Sequence, residues 1–343
     1  MRDILDDLTR WNEQGTDIAL ATVVQTWGSS PRQEGAKMAI NARGEIAGSV
    51  SGGCVESAVA EAGQQVLESG SPQLLHFGVA DETAWSVGLA CGGSVDVFVE
   101  RLDPEQFKFI KALLTKEEPA ASVTIVRGPE SVVGRKLTLS MRDPSTRFGS
   151  LDSGSDDQSV ELAMQVAEPS LQELAPEGLT AFVDIMPPPP TLVVVGGNQI
   201  AISLAKLAKT LDIRTVIVDP RRAFATKERF PEVDQLIQAW PSEAFENIPL
   251  TRSTAVVMLT HDPKIDQPAL ELALTSEAYY VGALGSKKTQ AKRRARLKES
   301  GLSEANLDRL HGPVGLELGA DTPDEIALSI IAEIVALRHS DNG

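Results

Sequence analysis

The sequence predicts an α/β protein in two parts, an N-terminal mixed α+β domain followed by a C-terminal doubly wound parallel sheet. Three observations carry that reading. A four-proline run, Pro187 to Pro190, cannot continue a helix or a central strand and favours an extended chain, so it marks a division. Beyond it, apolar strand-like runs alternate with helical stretches, as in βαβ units. Before it, short strand patterns joined by tight turns outnumber helical ones. The expected organisation is an N-terminal domain over residues 1–186, a linker over 187–190 and a C-terminal domain over 191–343.

In the N-terminal part, Ile4, Leu5, Leu8 and Trp11 recur at helical spacing and Gly15 supplies the stop. Asp17 to Thr26 is rich in Ala and Val, as a buried strand would be, and Gly28, Ser29, Ser30 and Pro31 follow as a turn. Lys37 to Asn41 and Glu45 to Val50, joined through Ala42-Arg43-Gly44, read as a hairpin that delivers the loop SGGC. A helix then runs from Val55 to about Leu67 and stops at Ser69-Gly70. Gln73 to Val79 and Ser94 to Glu100 are strand patterns, the second with Val95, Val97 and Val99 alternating. Pro104 to Leu114 reads as a helix, and Ala121 to Arg127, Val132 to Ser140 and Phe182 to Ile185 as strands. Pro144 to Gln158, rich in Ser, Asp and Gly, reads as a loop, and no internal repeat is evident.

After the prolines, Thr191 to Val195 is a continuous apolar run suited to a parallel strand buried on both faces. It leads through Gly196-Gly197-Asn198 into a helix, Gln199 to Leu211. A second strand, Ile213 to Asp219, ends in an acid about 20 residues beyond the glycines, where a Rossmann-like fold places its ribose-binding carboxylate. The fingerprint departs from its pattern at Asn198, where the second glycine belongs, while Ala201 is acceptable as the third. Arg221 and Arg222 suit either a phosphate or solvent. Strands at Ala255 to Thr260 and Tyr279 to Ala283 continue the alternation, with a helix at Gln267 to Leu274. His261, with Asp262 and Asp266 beyond it, sits at a carboxyl edge, where ligands bind in such sheets, or merely bridges a loop. Gly285 and Ser286, ahead of Lys287 and Lys288, form a plausible anion cradle without P-loop spacing. The basic run Lys287 to Lys298 is either a solvated helix face or part of that cradle. Finally, glycines at 312, 315 and 319 precede a cap-like Asp321-Thr322-Pro323-Asp324-Glu325 and a helix from Glu325 to Leu337.

Composition excludes several classes of function. A net charge of -16 argues against a general nucleic-acid binder, which needs a basic surface. No apolar run is long enough to span a bilayer. The start, MRDILDDLTRWNEQG, lacks the basic-then-apolar order of a signal peptide, so a cytoplasmic protein is expected. Two cysteines make no disulfide framework, and no C-x-x-C or partner for His76 suggests a zinc site. Both thiols are set against glycine pairs, Gly52-Gly53-Cys54 and Cys91-Gly92-Gly93. Each is read as a reactive sulfur or as a small buried hydrophobe.

The segments SGGCVE, CGGSVDVFVE, VVVGG after the prolines, DPRRAFATKERFPEVD, LTHD, YYVGALGSKK and PVGLELGADTPDEIALSIIAEI occur in that order. Together they resemble the XdhC/CoxI family of xanthine dehydrogenase accessory proteins, over Thr26 to Arg101 and Thr191 to Arg338. Residues 104–186 carry no recognisable motif. The resemblance implies a chaperone that binds molybdenum cofactor (molybdopterin) transiently, protects it while a cysteine desulfurase supplies sulfur, and hands it to an apo-molybdenum hydroxylase. A homodimer is also implied. In this reading the cofactor-binding residues are Gly52, Gly53, Cys54, Cys91, Gly92, Gly93, Gly196, Gly197, Asn198, Asp219, Arg221, His261, Gly285 and Ser286. Cys54 and Cys91 are the expected metal ligands, because molybdenum accepts soft sulfur and free amides at a helix N-terminus would favour a Cys54 thiolate. The competing readings are an NAD(P)-dependent oxidoreductase, from Gly196 and Asp219, and a purely structural assembly factor.

Overall fold

Two units make up the chain, Met1–Pro188 and Pro189–Gly343. The computed structural model describes residues 1–28, 32–53, 55–78, 93–151, 155–174 and 178–338. In the first unit, α1 (Leu5–Glu13) precedes β1 (Ile18–Trp27), β2 (Lys37–Asn41), β3 (Ile46–Gly48), α2 (Glu56–Ser69), β4 (Gln73–Phe77) and β5 (Ser94–Arg101). After α3 (Pro104–Thr115) come β6 (Ala120–Arg127), β7 (Lys136–Ser140), β8 (Arg147–Gly149), α4 (Ser155–Gln165), β9 (Ser170–Leu174) and β10 (Leu179–Met186). The strands form two antiparallel sheets, ordered β3-β2-β1-β5-β4 and β8-β7-β6-β10-β9. One face of each sheet is covered by its own helix. Val59 and Val66 of α2 bury among Val23, Ile40 and Val97, and Ala163 of α4 among Val123, Leu139 and Val183.

The two halves of this unit have the same topology, which corrects the expectation of no internal repeat. A bulge falls between Val23 and Gln25 in β1 and between Ile125 and Arg127 in β6. Lys37 pairs with Thr22 and Lys136 with Thr124. The amide of Gly35 donates to the Val23 carbonyl, and that of Gly134 to the Ile125 carbonyl. Gly48 and Gly149 both have positive φ, and a β-carbon on either would strike the carbonyl of Lys37 or Lys136. Between the sheets, Val24 and Phe98 pack with their counterparts Val126 and Phe182. The buried ion pairs are reciprocal: Lys37 reaches Asp184 at 2.7 Å, and Lys136 reaches Glu100. Each half therefore supplies the lysine for the other's carboxylate.

The repeat also accounts for residues 104–186. From β6 onward they are the second copy, and α3 packs Phe107, Ile110 and Leu114 against Leu8, Trp11 and Leu20 of the first. The stretch expected to be a loop, Pro144 to Gln158, contains β8 and the start of α4. One of its acids closes the loop ahead of the helix, with Asp156 accepting from the Ser150 hydroxyl and the Leu151 amide.

The second unit runs β11 (Thr191–Val195), α5 (Gln199–Thr210), β12 (Arg214–Val218), β13 (Gln235–Ile237), α6 (Pro241–Phe245) and β14 (Thr254–Met258). It continues through α7 (Pro263–Thr275), β15 (Tyr280–Ala283), α8 (Lys287–Glu299), α9 (Glu304–Asp308), β16 (Leu310–His311) and α10 (Pro323–Arg338). The six strands are parallel, in the order β13-β12-β11-β14-β15-β16. Successive residues of β11 face two different cores. Leu192 and Val194 pack with Ala201, Leu204, Ile330 and Ile334 of α5 and α10, and Val193 and Val195 with Ile265, Leu270 and Leu297 of α7 and α8. Burial on both faces explains why these strands are unbroken apolar runs. Among the described residues, no helix is long and apolar enough to cross a membrane.

Candidate functional site

In the second unit, β11 and β14 are neighbours whose following helices, α5 and α7, pack on opposite faces of the sheet. A crevice at the carboxyl ends of such a strand pair is where open α/β sheets bind ligands. It is an open cleft of about 470 Å³, lined by Asn198, Arg221, Phe224, Leu259, Thr260, His261, Asp262 and Pro263. Three sequence-predicted residues, Asn198, Arg221 and His261, thus share one wall-and-rim arrangement. Gly285 and Ser286 do not line this cleft. They sit beyond β15, where Ser286 caps α8 by accepting from the Thr289 amide at 3.3 Å.

The dinucleotide fingerprint is present in outline and differently used. Asn198 caps α5, accepting from the Ala201 amide at 3.1 Å and donating to the Leu259 carbonyl at 2.8 Å, so its side chain ties β11 to β14. Gly196 and Gly197 are required by the protein itself, since a β-carbon would lie 2.6 Å from Thr260 Cγ2 at the first and 2.5 Å from the Phe224 carbonyl oxygen at the second. Asp219 is fully buried and accepts from the Gly197 amide at 2.8 Å and the Arg221 amide at 2.9 Å. Arg221 Nε and Nη2 also reach it, at 2.9 and 2.7 Å, with the guanidinium 4.0 Å from the Phe224 ring centroid. Burial would raise the Asp219 pKa, but the hydrogen bonds from Arg221 and Gly197 outweigh it and hold the carboxyl below its usual range. Both Asp219 oxygens are engaged within the chain, where a ribose-binding acid was expected to face a ligand; the partners here are Arg221 and the Gly197 amide.

The basic run after Ser286 resolves mostly into structure. Arg293 is buried and pairs with Asp266 at 3.0 Å, also donating to Gln290 and the Leu284 carbonyl. Arg294 pairs with Asp308 and Lys298 with Glu304. Lys287 and Lys288 remain exposed in the first turn of α8. Of the three glycines ahead of α10, Gly315 is held by Glu333, which accepts from the Gly315 amide, the Tyr280 hydroxyl and His311 Nδ1 at 2.7, 2.5 and 3.1 Å.

In the first unit, strand register gathers several chain segments at one end of the first sheet. Gly48 pairs with Met38, Trp27 with Ser94 and Phe77 with Val95. The exits of β1, β3 and β4 and the entry to β5 therefore lie together, with Gly52, Gly53 and Gly93 beside them in the chain. Cys54, Cys91 and Gly92 lie outside the described residues. The loop ahead of α2 closes on its own carboxylate. Glu56 accepts from the amides of Ser51, Gly52, Gly53 and Val55 at 2.8–3.2 Å and from the hydroxyls of Ser49 and Ser51 at 2.7 and 3.1 Å. Burial favours the protonated form, yet the Ser49 hydroxyl and the Ser51 and Gly52 amides hold the Glu56 pKa down to about 2. The amides expected to be free for a thiolate or an incoming anion are occupied. His76, without a partner by sequence spacing, lies directly across from Asp96 on β5. Among the described residues, no group of three or more His, Cys, Asp or Glu could hold a metal ion.

Comparison with known proteins matches both units. The family described as XdhC Rossmann domain matches residues 192–334, and that described as XdhC and CoxI family matches residues 11–78. The chain is similar to a probable xanthine dehydrogenase subunit of Bacillus subtilis (strain 168), 29% identical over 95% of this chain and 94% of that protein. It is also similar to the molybdenum cofactor insertion chaperone PaoD of Escherichia coli (strain K12), 26% identical over 94% of this chain and 84% of that protein. A crystal structure of a xanthine dehydrogenase from Bacillus halodurans is matched with a TM-score of 0.78 at 26% identity, over 98% of this chain and 96% of that one. With two matched segments that fall one in each unit and relatives aligned over nearly the whole length, the chain belongs to the XdhC and CoxI family.

Proposed function

We propose that the protein is a maturation factor for a xanthine dehydrogenase-type molybdenum hydroxylase. It takes molybdenum cofactor as cargo, protects it while a cysteine desulfurase supplies the sulfido ligand, and inserts it into the apo-enzyme. The protein works in the cytoplasm and as a homodimer in this reading, and Cys54 and Cys91 offer sulfur to the metal. Support for the role comes from the relatives, one of which is named for molybdenum cofactor insertion.

The single structural observation that carries the reading is the closed Asp219–Arg221 pair under an open switch-point cleft. A nicotinamide dinucleotide would need that carboxylate for its ribose hydroxyls. Here the acid is spent on Arg221, while Asn198 and His261 still line the cleft and offer donors to a polar, anionic cargo; the Thr260 hydroxyl is already given to Asp266. NAD(P)-dependent hydride transfer, the alternative, requires Arg221 to release Asp219 first.

Equilibrium binding separates the two. Full-length protein titrated with molybdenum cofactor should bind it tightly and activate an apo-hydroxylase on transfer, and should bind NADH and NADPH at least about a hundredfold more weakly. Micromolar NADH binding with turnover of a carbonyl substrate, and no cofactor binding, would overturn the proposal. Light scattering of the purified protein tests the dimer.

A further inference from the structure

At the shared end of the first sheet, the buried carboxylate of Asp96 joins two exposed groups. It accepts from His76 Nδ1 at 2.6 Å and from Arg127 Nη2 at 2.6 Å, while its own side chain is 5% exposed. The imidazole and guanidinium stand 58% and 44% exposed. Bonding through Nδ1 fixes the ring orientation and turns Nε2 outward, where it has no hydrogen-bond partner among the described residues. Trp27, itself 43% exposed, lies edge-on to that imidazole with ring centroids 6.0 Å apart. Glu34, on the turn after β1, is already bonded to the Thr26 amide and hydroxyl.

The repeated half shows that the fold does not require this cluster. By register, the counterparts of His76 and Asp96 are Glu173 and Thr180, which make a plain hydroxyl-to-carboxylate bond of 3.0 Å. The counterpart of Arg127 is Gln25. One scaffold thus builds the same cross-strand polar pair twice and adds imidazole, guanidinium and indole at only one end. A guanidinium, with an imidazole whose Nε2 donates when both ring nitrogens carry protons, beside an exposed aromatic face suits an anion attached to a flat ring. In a chain of net charge -16, such a grouping stands out from its surroundings.

We propose that Trp27, His76 and Arg127 form a binding subsite for a phosphate-bearing flat heterocycle. His76 and Arg127 contact the phosphate, Trp27 stacks on the ring, and Asp96 is a positioning residue that holds both donors. This deepens the cargo reading given above and rests on it.

The test is equilibrium binding of molybdenum cofactor to the full-length protein, with each variant checked by circular dichroism and thermal melting. His76→Asn, Arg127→Met and Trp27→Ala should each weaken binding about tenfold or more, and Trp27→Phe should stay within about threefold of wild type. If wild type binds and all three variants bind within about twofold of it, the subsite is wrong and the chaperone reading survives. If wild type does not bind, the chaperone reading falls and takes the subsite with it. Should His76→Asn fail to fold, Arg127→Met and Trp27→Ala, both at exposed positions, carry the test.

Discussion

Lys37→Met is expected to destabilise the first unit by about 3–5 kcal/mol, because it strands a buried carboxylate. Lys37 is 3% exposed and Asp184 9%, and besides that carboxylate the ammonium has the Thr22 hydroxyl at 3.1 Å. Desolvation of Asp184 without a counter-charge is the source of the loss. Replacing both partners, Lys37→Met with Asp184→Leu, should return stability to within about 1 kcal/mol of wild type, since an apolar pair leaves no unpaired charge. Lys136→Met, alone and with Glu100→Leu, should repeat the pattern at lower amplitude, because those side chains are 19% and 11% exposed. Urea unfolding followed through Trp11, which is buried in this unit, measures all four. A loss below about 1 kcal/mol for Lys37→Met would mean the pair is not a structural lock.

These pairs also show why the repeat cannot be read from the sequence. Equivalent residues such as Lys37 and Lys136, or Phe98 and Phe182, keep their register but not a constant spacing, because the connections between strands differ in length. What is duplicated is local geometry: two bulges, two left-handed glycines and two carboxylates, Glu56 and Asp156, that accept from the loop ahead of their helix. The parallel sheet was legible because strands buried on both faces must be apolar throughout, and the proline run marked where it starts. The acid at the end of β12 was legible too, but its hydrogen-bond partner was not. A side chain two residues away, Arg221, decides whether Asp219 faces a ribose or its own chain, and spacing alone does not encode that choice. The His76–Asp96 pair was hidden for a related reason, since the two residues meet only through cross-strand register.

The loop around Gly52 and Gly53 gives the second large effect. Glu56→Gln should lower stability at about pH 7 by about 1–3 kcal/mol, and Glu56→Ala by more, because loop amides lose a charged acceptor and some are left unpaired. Its pKa is lowered from 4.5 to about 2 in the folded protein. A depressed carboxylate pKa stabilises the fold in full above the ordinary value, and that stabilisation is lost as pH falls through the folded value. The gap in thermal stability between wild type and Glu56→Gln should therefore hold from neutral pH to about pH 5 and shrink steadily toward about pH 2. A gap that stays constant down to about pH 3 would show that Glu56 acts by shape and not by charge. The outcome bears directly on the sulfur chemistry expected next to it. As long as Glu56 is ionised, the amides on both sides of position 54 face a negative charge of the protein's own. Any anionic cargo brought to this loop must then be held by groups other than these amides, or must displace Glu56 to reach them. Cofactor binding that strengthens in Glu56→Gln, measured alongside the melting curves, would identify displacement as the step that opens the loop.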